Sequence, residues 1–348
     1  MKKIALIVDQ ENWAFDIEAQ LLKQNLKDFY EIDVYASSKE EFNDDLFKIL
    51  ERVKNYDLIH FFWRKLLIQF ETKKFRNKVE EAGYNYNEYV NILTNKLSTG
   101  IYDHLFLQKE EIDLYKPIFT KYIKAYYTCS KRLEDIYNNI DEYPKPFGTI
   151  HDTYDNKLYS GGNKQRYQNK TKDMSLIIGW VGNSNWNIKY QDFKGFHTIL
   201  EPVVNELINK GYNIVKNYAD RNILFRTNEE MPKYYDSIDI CVVVSSVEGT
   251  PRPIIEGMAC GVPIITTDVG IVPEVFGPYQ KDYILGNRDN GKNDKFIKNK
   301  LKEKLIYLYN HREELNKLSR ENYEYAKYND IEHLSEFYKK YFDSFFNN

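Results

Sequence analysis

Residues 238–263 read IDICVVVSSVEGTPRPIIEGMACGVP, and this stretch decides the predicted fold. The apolar run Ile238–Ser245 is typical of a buried strand. The segment Pro251–Cys260 predicts a helix, since proline is tolerated in a first helical turn and Gly261 can end the helix. A further apolar run, Pro263–Thr267, predicts the next strand. A strand, a helix and a strand in this order indicate an α/β protein with a parallel sheet.

The same alternation of strands and helices extends over both halves of the chain. Around the deciding stretch it includes a strand over Leu176–Val181 and two short strands over Asn213–Lys216 and Asn222–Phe225. The polar segment between the halves predicts a linker. We therefore predict a domain over residues 1–155, a linker over 156–172, a second domain over 173–330, and a helix over 331–348 that could cross back to the first domain.

Composition excludes several classes of protein. The chain has 348 residues and a net charge of −3, which argues against a nucleic-acid-binding protein. Its three cysteines are odd in number and widely spaced, which argues against a disulfide framework or a zinc site. The apolar run at the N-terminus is too short for a signal peptide, and no apolar stretch is long enough to span a membrane. We expect a cytoplasmic protein.

The loop after the strand at Ile238–Ser245 has the properties of an anion-binding site. Ligands of open α/β sheets bind beyond the carboxyl ends of the strands. Gly249 permits tight backbone geometry there, and the N–H groups of the first turn of the following helix point at the loop.

Two glutamates, Glu248 and Glu256, flank this loop. A carboxylate repels phosphate, so we expect neither glutamate to bind it, but each can accept hydrogen bonds from sugar hydroxyls. The alternative is that both residues only favour the positive end of the helix dipole.

This stretch resembles the signature of the family-4 glycosyltransferases, which are retaining enzymes of the GT-B fold. Their signature has two glutamates separated by seven residues, a glycine in the loop, and an Ala-Gly-Pro ending. The resemblance covers residues 150–345. The matching residues of this chain are Gly182, Lys194, Gly195, Pro232, Glu248, Gly249, Glu256, Ala259, Gly261, Pro263, Gly270, Pro273 and Glu274.

The resemblance implies a fold and a set of roles. It implies two doubly wound, Rossmann-like domains that face a cleft. Glu256 would hold the ribose and Glu248 the donor sugar, while Lys194 would compensate the charge of the leaving diphosphate. His104, oriented by Asp103, would lie near the anomeric carbon, unless this pair is an ordinary polar loop. Further donor contacts would come from Gly182, Asn183, Arg226, and the Gly249, Thr250, Pro251 and Arg252 backbone.

One position departs from the family pattern. Many members have an arginine just after the glycine that corresponds to Gly182, whereas this chain has Asn183. A cation that would neutralise phosphate is therefore missing or replaced, and the candidates are Arg252, Lys189 and Arg226.

The function implied is a retaining transfer of sugar from a UDP-, GDP- or ADP-sugar to a hydroxyl acceptor. The acceptor would be a glycan or a lipid-linked molecule, as in bacterial surface glycan or glycolipid assembly, and we expect no metal and no cofactor. The basic segment 64–78 could contact the inner face of the plasma membrane, although we favour a solvated helix face.

Two alternatives to a transferase remain. The first is a non-catalytic nucleotide-sugar-binding protein of the same fold, which the absent arginine favours. The second is an oxidoreductase, suggested by the glycines of Gly179–Ser184, but the third glycine of a dinucleotide loop is missing.

Overall fold

The computed structural model describes residues 1–103, 108–159, 167–168, 170–186 and 188–346. The chain divides into two compact units, Met1–Asp152 with Ile331–Asn348, and Thr153–Asp330. The segment 156–172, predicted as a linker, lies in the second unit as far as it is described. Tyr159 and Tyr167 explain this difference, because both aromatic side chains are buried in that unit and anchor an otherwise polar segment.

The first unit contains a parallel sheet in the strand order β2-β1-β3-β4-β5. The inner strands β3 and β4 are fully buried, as is expected when helices cover both faces of a parallel sheet, whereas the edge strand β2 is partly exposed. Because β1 has β2 on one side and β3 on the other, the chain winds in both directions from the middle of the sheet. The strands are β1 (Lys2–Val8), β2 (Tyr30–Ala36), β3 (Leu58–Phe61), β4 (Leu97–Ile101) and β5 (Ala125–Thr128).

Several helices of the first unit begin where a short polar side chain caps them. Asp45 accepts a hydrogen bond from the Phe47 amide at the start of α2, and Thr72 accepts one from the Phe75 amide at the start of α3. The helices are α1 (Ala14–Asn25), α2 (Leu46–Val53), α3 (Lys73–Glu81), α4 (Tyr86–Thr94), α5 (Lys109–Pro117) and α6 (Lys131–Asn138), with a 3-10 helix at Arg64–Glu71 and a π-helical turn at Ile118–Tyr122.

The buried centre of the first unit is partly polar. His60 is completely buried on β3, and its Nδ1 lies 2.7 Å from the hydroxyl of Ser98 on β4. Its ring stacks on Tyr127 of β5 at 5.5 Å. Burial lowers the pKa of His60 to about 3, so this imidazole is a neutral structural group at physiological pH.

The second unit contains a parallel sheet in the order β7-β6-β8-β9. The strands are β6 (Leu176–Gly182), β7 (Ile214–Asp220), β8 (Ile240–Val243) and β9 (Ile264–Thr266). The short strand predicted at Asn222–Phe225 is wrong. The chain turns there instead, because the Asp220 carbonyl accepts from the amides of Ile223 and Leu224, and the side chain of Ile223 is 83% exposed.

The helices of the second unit surround its sheet. The charged region 294–328 forms two helices that are separated at His311 and Arg312. The three cysteines of the chain are buried thiols. The helices of this unit are α7 (Asn156–Tyr159), α8 (Glu201–Asn209), α9 (Met231–Asp236), α10 (Arg252–Ala259), α11 (Val272–Val275), α12 (Pro278–Lys281), α13 (Asp294–Asn310) and α14 (Glu313–Ala326), and a π-helical turn, Phe196–Leu200, precedes α8.

The last helix, α15 (Ile331–Asp343), packs in the first unit. Tyr338, Tyr341 and Phe342 are completely buried in the first core. The Tyr338 hydroxyl donates to the Glu18 carboxylate over 3.1 Å, which ties α15 to α1. Aromatic residues at helical spacing therefore anchor the end of the chain to the unit that contains its beginning.

Candidate functional site

The candidate site lies where the strand order of the second unit reverses. Strand β6 has β7 on one side and β8 on the other, so the loops after β6 and β8 leave the sheet towards different helices. Such a switch point is where ligands of open α/β sheets bind. The loop after β6 carries Asn183 and Lys194, and the loop after β8 carries Glu248 and Gly249.

Backbone contacts hold the loops at this edge together. The Ser246 amide donates to the Phe193 carbonyl over 2.8 Å, which joins the loops after β6 and β8. The Ile271 amide donates to the Gly249 carbonyl over 3.0 Å, which adds the loop after β9. Gly270 has a φ of +48°, and a Cβ there would lie 1.7 Å from the Gly249 carbonyl oxygen. Only glycine therefore fits this close approach.

Glu248 and Lys194 meet in front of these loops. The Lys194 ammonium lies 2.5 Å from Oε1 of Glu248, and 5.5 Å from the centre of the Trp186 ring. Both charged side chains are partly exposed. The structure thus brings together two residues that are 54 positions apart and that the sequence assigned to the same ligand.

Glu256 is more deeply enclosed than Glu248. It is 5% exposed on α10, where its carboxylate accepts from the Tyr235 hydroxyl and from Nε of Arg252, each over 3.0 Å. A carboxylate offers about four acceptor positions, so two hydrogen bonds leave capacity for hydroxyls of a ligand. Burial and then this carboxylate raise the pKa of the Cys241 thiol to about 12 and hold the pKa of Tyr235 well above its usual value.

The N-terminus of α10 offers fewer backbone N–H donors than a helix start without proline. Pro251 precedes the helix and Pro253 lies in its first turn, and neither residue has an N–H group. The N–H groups of this segment therefore belong to Gly249, Thr250 and Arg252, and Pro251 has none to offer, so its donor contact stays a prediction that would have to use its carbonyl or ring. The hydroxyl of Thr250 is buried and has no hydrogen-bond partner among the described residues.

Comparisons with known proteins identify a family match over part of the second unit. Residues 219–325 match the family Glycosyl transferases group 1. This group 1 domain includes β8, α10 and both glutamates, whereas Lys194 lies outside it. A comparison with curated proteins finds no match.

Solved glycosyltransferases share the fold over nearly the whole chain. The Anabaena protein HepE in complex with UDP is 13% identical with a TM-score of 0.63, covering 99% of this chain and 100% of its own. Sucrose-phosphate synthase from Thermosynechococcus elongatus is 15% identical with a TM-score of 0.65, covering 99% of both chains. A glycosyltransferase from Rickettsia africae is 14% identical with a TM-score of 0.61, covering 100% and 99%. The predicted α/β fold of the GT-B type, with two Rossmann-like units, is confirmed.

The position after Gly182 is occupied by a hydrogen-bonded amide. The side-chain oxygen Oδ1 of Asn183 accepts from the Asn222 side-chain amide over 2.7 Å and from the Asn185 backbone amide over 3.0 Å. A neutral amide cannot compensate phosphate charge. Asn183 instead joins the loop after β6 to the turn after β7.

The three candidate replacement cations lie in different surroundings. Arg252 is the first residue of α10 and contacts Glu256. The Arg226 guanidinium lies 5.2 Å from the Tyr234 ring, and its Nη1 is buried without a hydrogen-bond partner among the described residues. Lys189 is exposed to solvent. Of these three cations, Arg252 alone contacts one of the two signature glutamates within the described part of the chain.

The predicted catalytic residue of the first unit, His104, lies outside the described residues. Its neighbour Asp103 forms an ion pair with the buried Arg64 over 3.1 Å. Burial opposes the charge of Arg64, but the Asp103 carboxylate outweighs it and holds the pKa of Arg64 above its usual value. Asp103 thus has a structural partner that the sequence did not indicate.

The basic segment 64–78 has no apolar face available to a membrane. Its large apolar side chains point into the first core, while four of its basic side chains remain exposed. The buried residues are Leu66, Leu67, Phe70 and Phe75, and the exposed ones are Lys65, Lys73, Lys74 and Arg76. Among the described helices, none is long and apolar enough to cross a membrane.

Sequence reasoning missed two residues of this site. Tyr235 contacts Glu256 from α9, and Arg288 contacts both loops that carry Lys194 and Glu248. Tyr235 belongs to the stretch 231–235, which resembles the family's helix before the signature but was assigned no role, and Arg288 lies beyond the residues that carry the resemblance to the signature. Among the described residues, no group of three or more His, Cys, Asp or Glu side chains is arranged to hold a metal ion.

Proposed function

We propose that this protein is a retaining glycosyltransferase that moves a sugar from a nucleoside-diphosphate sugar to a hydroxyl acceptor. The observation that carries the proposal is the placement of Glu248, paired with Lys194, and Glu256 on either side of the N-terminus of α10. The group 1 domain over residues 219–325 supports it. Because HepE is described with UDP and with UDP-glucose, a UDP-sugar is the first donor to test.

Glu256 would bind the ribose of the donor. Two of its acceptor positions are already used by Tyr235 and Arg252, and these contacts fix the direction of the carboxylate. The remaining positions would accept hydrogen bonds from the two ribose hydroxyls. Hydrogen bonds to a charged group in a buried site are strong enough to contribute substantially to nucleotide affinity.

Lys194 and Glu248 would act on the reacting end of the donor. The Lys194 ammonium would turn from Glu248 to the diphosphate, and Glu248 would then accept from hydroxyls of the donor sugar. During transfer, the bond between the anomeric carbon and the diphosphate oxygen breaks as the acceptor oxygen attacks from the same face. The acceptor's proton passes to the leaving phosphate. A cation near that phosphate lowers the barrier by stabilising the developing charge.

Arg252 would supply the second positive charge that Asn183 cannot. It begins α10, next to the amides of Gly249 and Thr250, and its guanidinium is already in the site. While Nε of Arg252 stays on Glu256, its other guanidinium N–H groups would donate to the diphosphate. Arg226 and Gly182 would line the nucleotide side of the same loops.

The acceptor, the cellular role and the metal independence are proposals from the family resemblance. The acceptor would be a glycan or lipid-linked hydroxyl bound by the first unit, where His104 would lie near the anomeric carbon. The exposed lysines of 64–78 leave room only for electrostatic contact with an anionic membrane at the cytoplasmic face. Transfer that is unchanged in EDTA would support the absence of a metal and of any cofactor.

A thermal-shift screen of UDP-, GDP- and ADP-sugars tests the proposal. We expect one nucleotide series to raise the melting temperature, because a ligand that binds only the folded chain stabilises it. Release of free nucleotide from that donor then tests turnover. Binding without turnover, with any acceptor pool, would favour the alternative of a non-catalytic nucleotide-sugar-binding protein. No binding in any series would refute both.

A further inference from the structure

Arg288 is a buried arginine between β9 and α13 whose donors are directed at backbone carbonyls. It is 1% exposed. Its Nη1 lies 3.0 Å from the Asp192 carbonyl oxygen, 3.2 Å from that of Phe193 and 3.0 Å from that of Val244. One nitrogen therefore connects the loop after β6 with the end of β8.

The opposite edge of the guanidinium is fixed by a carboxylate. Nε and Nη2 of Arg288 donate to the two oxygens of Asp294, each over 2.8 Å. This two-pronged geometry holds the guanidinium plane and compensates its charge. Nη2 also lies 3.4 Å from the hydroxyl of Thr198. Because these contacts prevent the guanidinium from rotating, the N–H groups of Nη1 stay directed at the carbonyls of the two loops.

The carbonyls that Arg288 binds adjoin the charged residues of the candidate site. Lys194 directly follows Phe193, and Glu248 lies four residues after Val244. Gly195 has a φ of +68°, and a Cβ there would lie 2.3 Å from the Val244 carbonyl oxygen and 2.9 Å from Nη1 of Arg288. A glycine at this position lets the Lys194 loop lie directly on the guanidinium.

We propose that Arg288 is a positioning residue that sets the spacing between Lys194 and Glu248. Its role in transfer rests on the proposed function, whereas its link between the two loops rests on the contacts alone. Lysine cannot replace it, because a single ammonium cannot bind three carbonyls and a carboxylate in a fixed plane. Displacing a charged group by about 1 Å can lower a rate by about 100-fold.

The test compares Arg288→Lys with a matched control, Arg312→Lys. Arg312 is also buried in the second unit, at 3% exposure, but its guanidinium donates to the Met174 carbonyl and lies over the Tyr309 ring. We expect Arg288→Lys to lower kcat for release of UDP from UDP-glucose by about 10- to 100-fold, with KM within about threefold. Arg312→Lys should change both by less than about twofold.

Hydrogen exchange tests the link between the loops without any donor. The amides of Gly195 and Ser246 bond to the Asp192 and Phe193 carbonyls that Arg288 also binds. We expect both amides to exchange at least about tenfold faster in Arg288→Lys and to be unchanged in Arg312→Lys. If Arg288→Lys is insoluble, Asp294→Asn, which removes the charge that fixes the guanidinium, should give the same pattern.

The outcomes separate this inference from the proposed function. Wild-type exchange at both amides in Arg288→Lys, or equal acceleration in the control, would overturn the positioning role. Faster exchange with unchanged kcat would overturn its importance for transfer. If exchange responds but the wild type neither binds nor cleaves any sugar nucleotide, the proposed function fails while the link between the loops stands.

Discussion

The two units have the same kind of sheet but use the carboxyl ends of their strands differently. In each sheet, the first strand of the unit lies between the two strands that follow it in the chain: β1 lies between β2 and β3, and β6 lies between β7 and β8. In the second unit the loops at this edge are joined by backbone hydrogen bonds, and Lys194 and Glu248 meet in front of them. In the first unit, polar residues at or after strand ends, such as His60 and Arg64, are buried.

This difference shows that a site can be predicted from sequence when the close packing of its loops requires particular residue types. In the second unit the glycine at position 270 is required because another backbone lies where its Cβ would be. In the first unit, the polar residues near the strand ends pair with other residues of the same unit, His60 with the buried Ser98 and Arg64 with the partly exposed Asp103. Their sequence context is therefore that of any polar residue inside an α/β protein.

Gly270→Ala should have the largest effect on the free energy of unfolding. It tests whether close contact between loops is a property of the second unit and not of the first. Its matched control is Gly83→Ala in the first unit, where φ is +85° but nothing lies within 4 Å of the added Cβ. We expect Gly270→Ala to lower the free energy of unfolding by about 3–5 kcal/mol, and Gly83→Ala by about 1 kcal/mol from backbone strain alone. Calorimetric unfolding of both variants measures this, and equal losses would contradict a close approach at Gly270.

Glu256→Ala should weaken nucleotide binding about 30- to 100-fold, which corresponds to about 2–3 kcal/mol. The matched control is Glu18→Ala in the first unit, a buried glutamate that also accepts from a tyrosine hydroxyl. Both variants should lose stability, but only Glu256→Ala should lose affinity for the nucleotide. Titration calorimetry with UDP measures the difference, and unchanged affinity in Glu256→Ala would remove the ribose role.

Glu248→Ala should mainly lower turnover, by about 10-fold. Its partner Lys194 would remain near the diphosphate, so donor affinity should change by less than about threefold. Initial rates of donor cleavage at several donor concentrations separate kcat from KM. A wild-type kcat in this variant would mean that Glu248 only neutralises Lys194 in the unliganded protein.

His60 should give an effect that appears only as the pH changes, and it tests the buried character of the first unit. Burial lowers its folded pKa to about 3, whereas in the unfolded chain it is about 6.5. Below pH 6.5 the unfolded chain takes up a proton that the folded chain does not. His60 therefore contributes to stability that is complete above about pH 6.5 and is lost as the pH falls towards 3.

The contribution of His60 to the change in the free energy of unfolding with pH should reach about 1.4 kcal/mol per pH unit. Urea unfolding of His60→Asn between pH 7 and pH 5 should show a flatter pH dependence than the wild type. The exposed His197 of the second unit provides the control, since His197→Asn should keep the wild-type slope. An identical slope in all three proteins would mean that the unfolded chain also shields His60.

Much of the second unit could be predicted from the sequence. The strand β8, the helix α10 and the loop between them follow from an apolar run, two prolines and a glycine within 26 residues. Prediction failed at Asn222–Phe225, where apolar side chains suggested a strand. Asp220 accepts the amides of the following residues there, and a turn results that leaves Ile223 exposed. Hydrophobicity alone does not show whether backbone amides pair within a sheet or within a turn.

The sequence by itself determined the α/β class and the positions of Glu248 and Glu256, because these depend on local periodicity and on short spacing. The contact between Arg252 and Glu256 is a local pair within α10, but only the tertiary structure decided that Lys194 lies on Glu248, that Tyr235 contacts Glu256, and that Arg288 joins the two loops. These partners are brought together by crossovers between strands. Their contacts arise from the order of strands in the sheet, which no short stretch of sequence encodes.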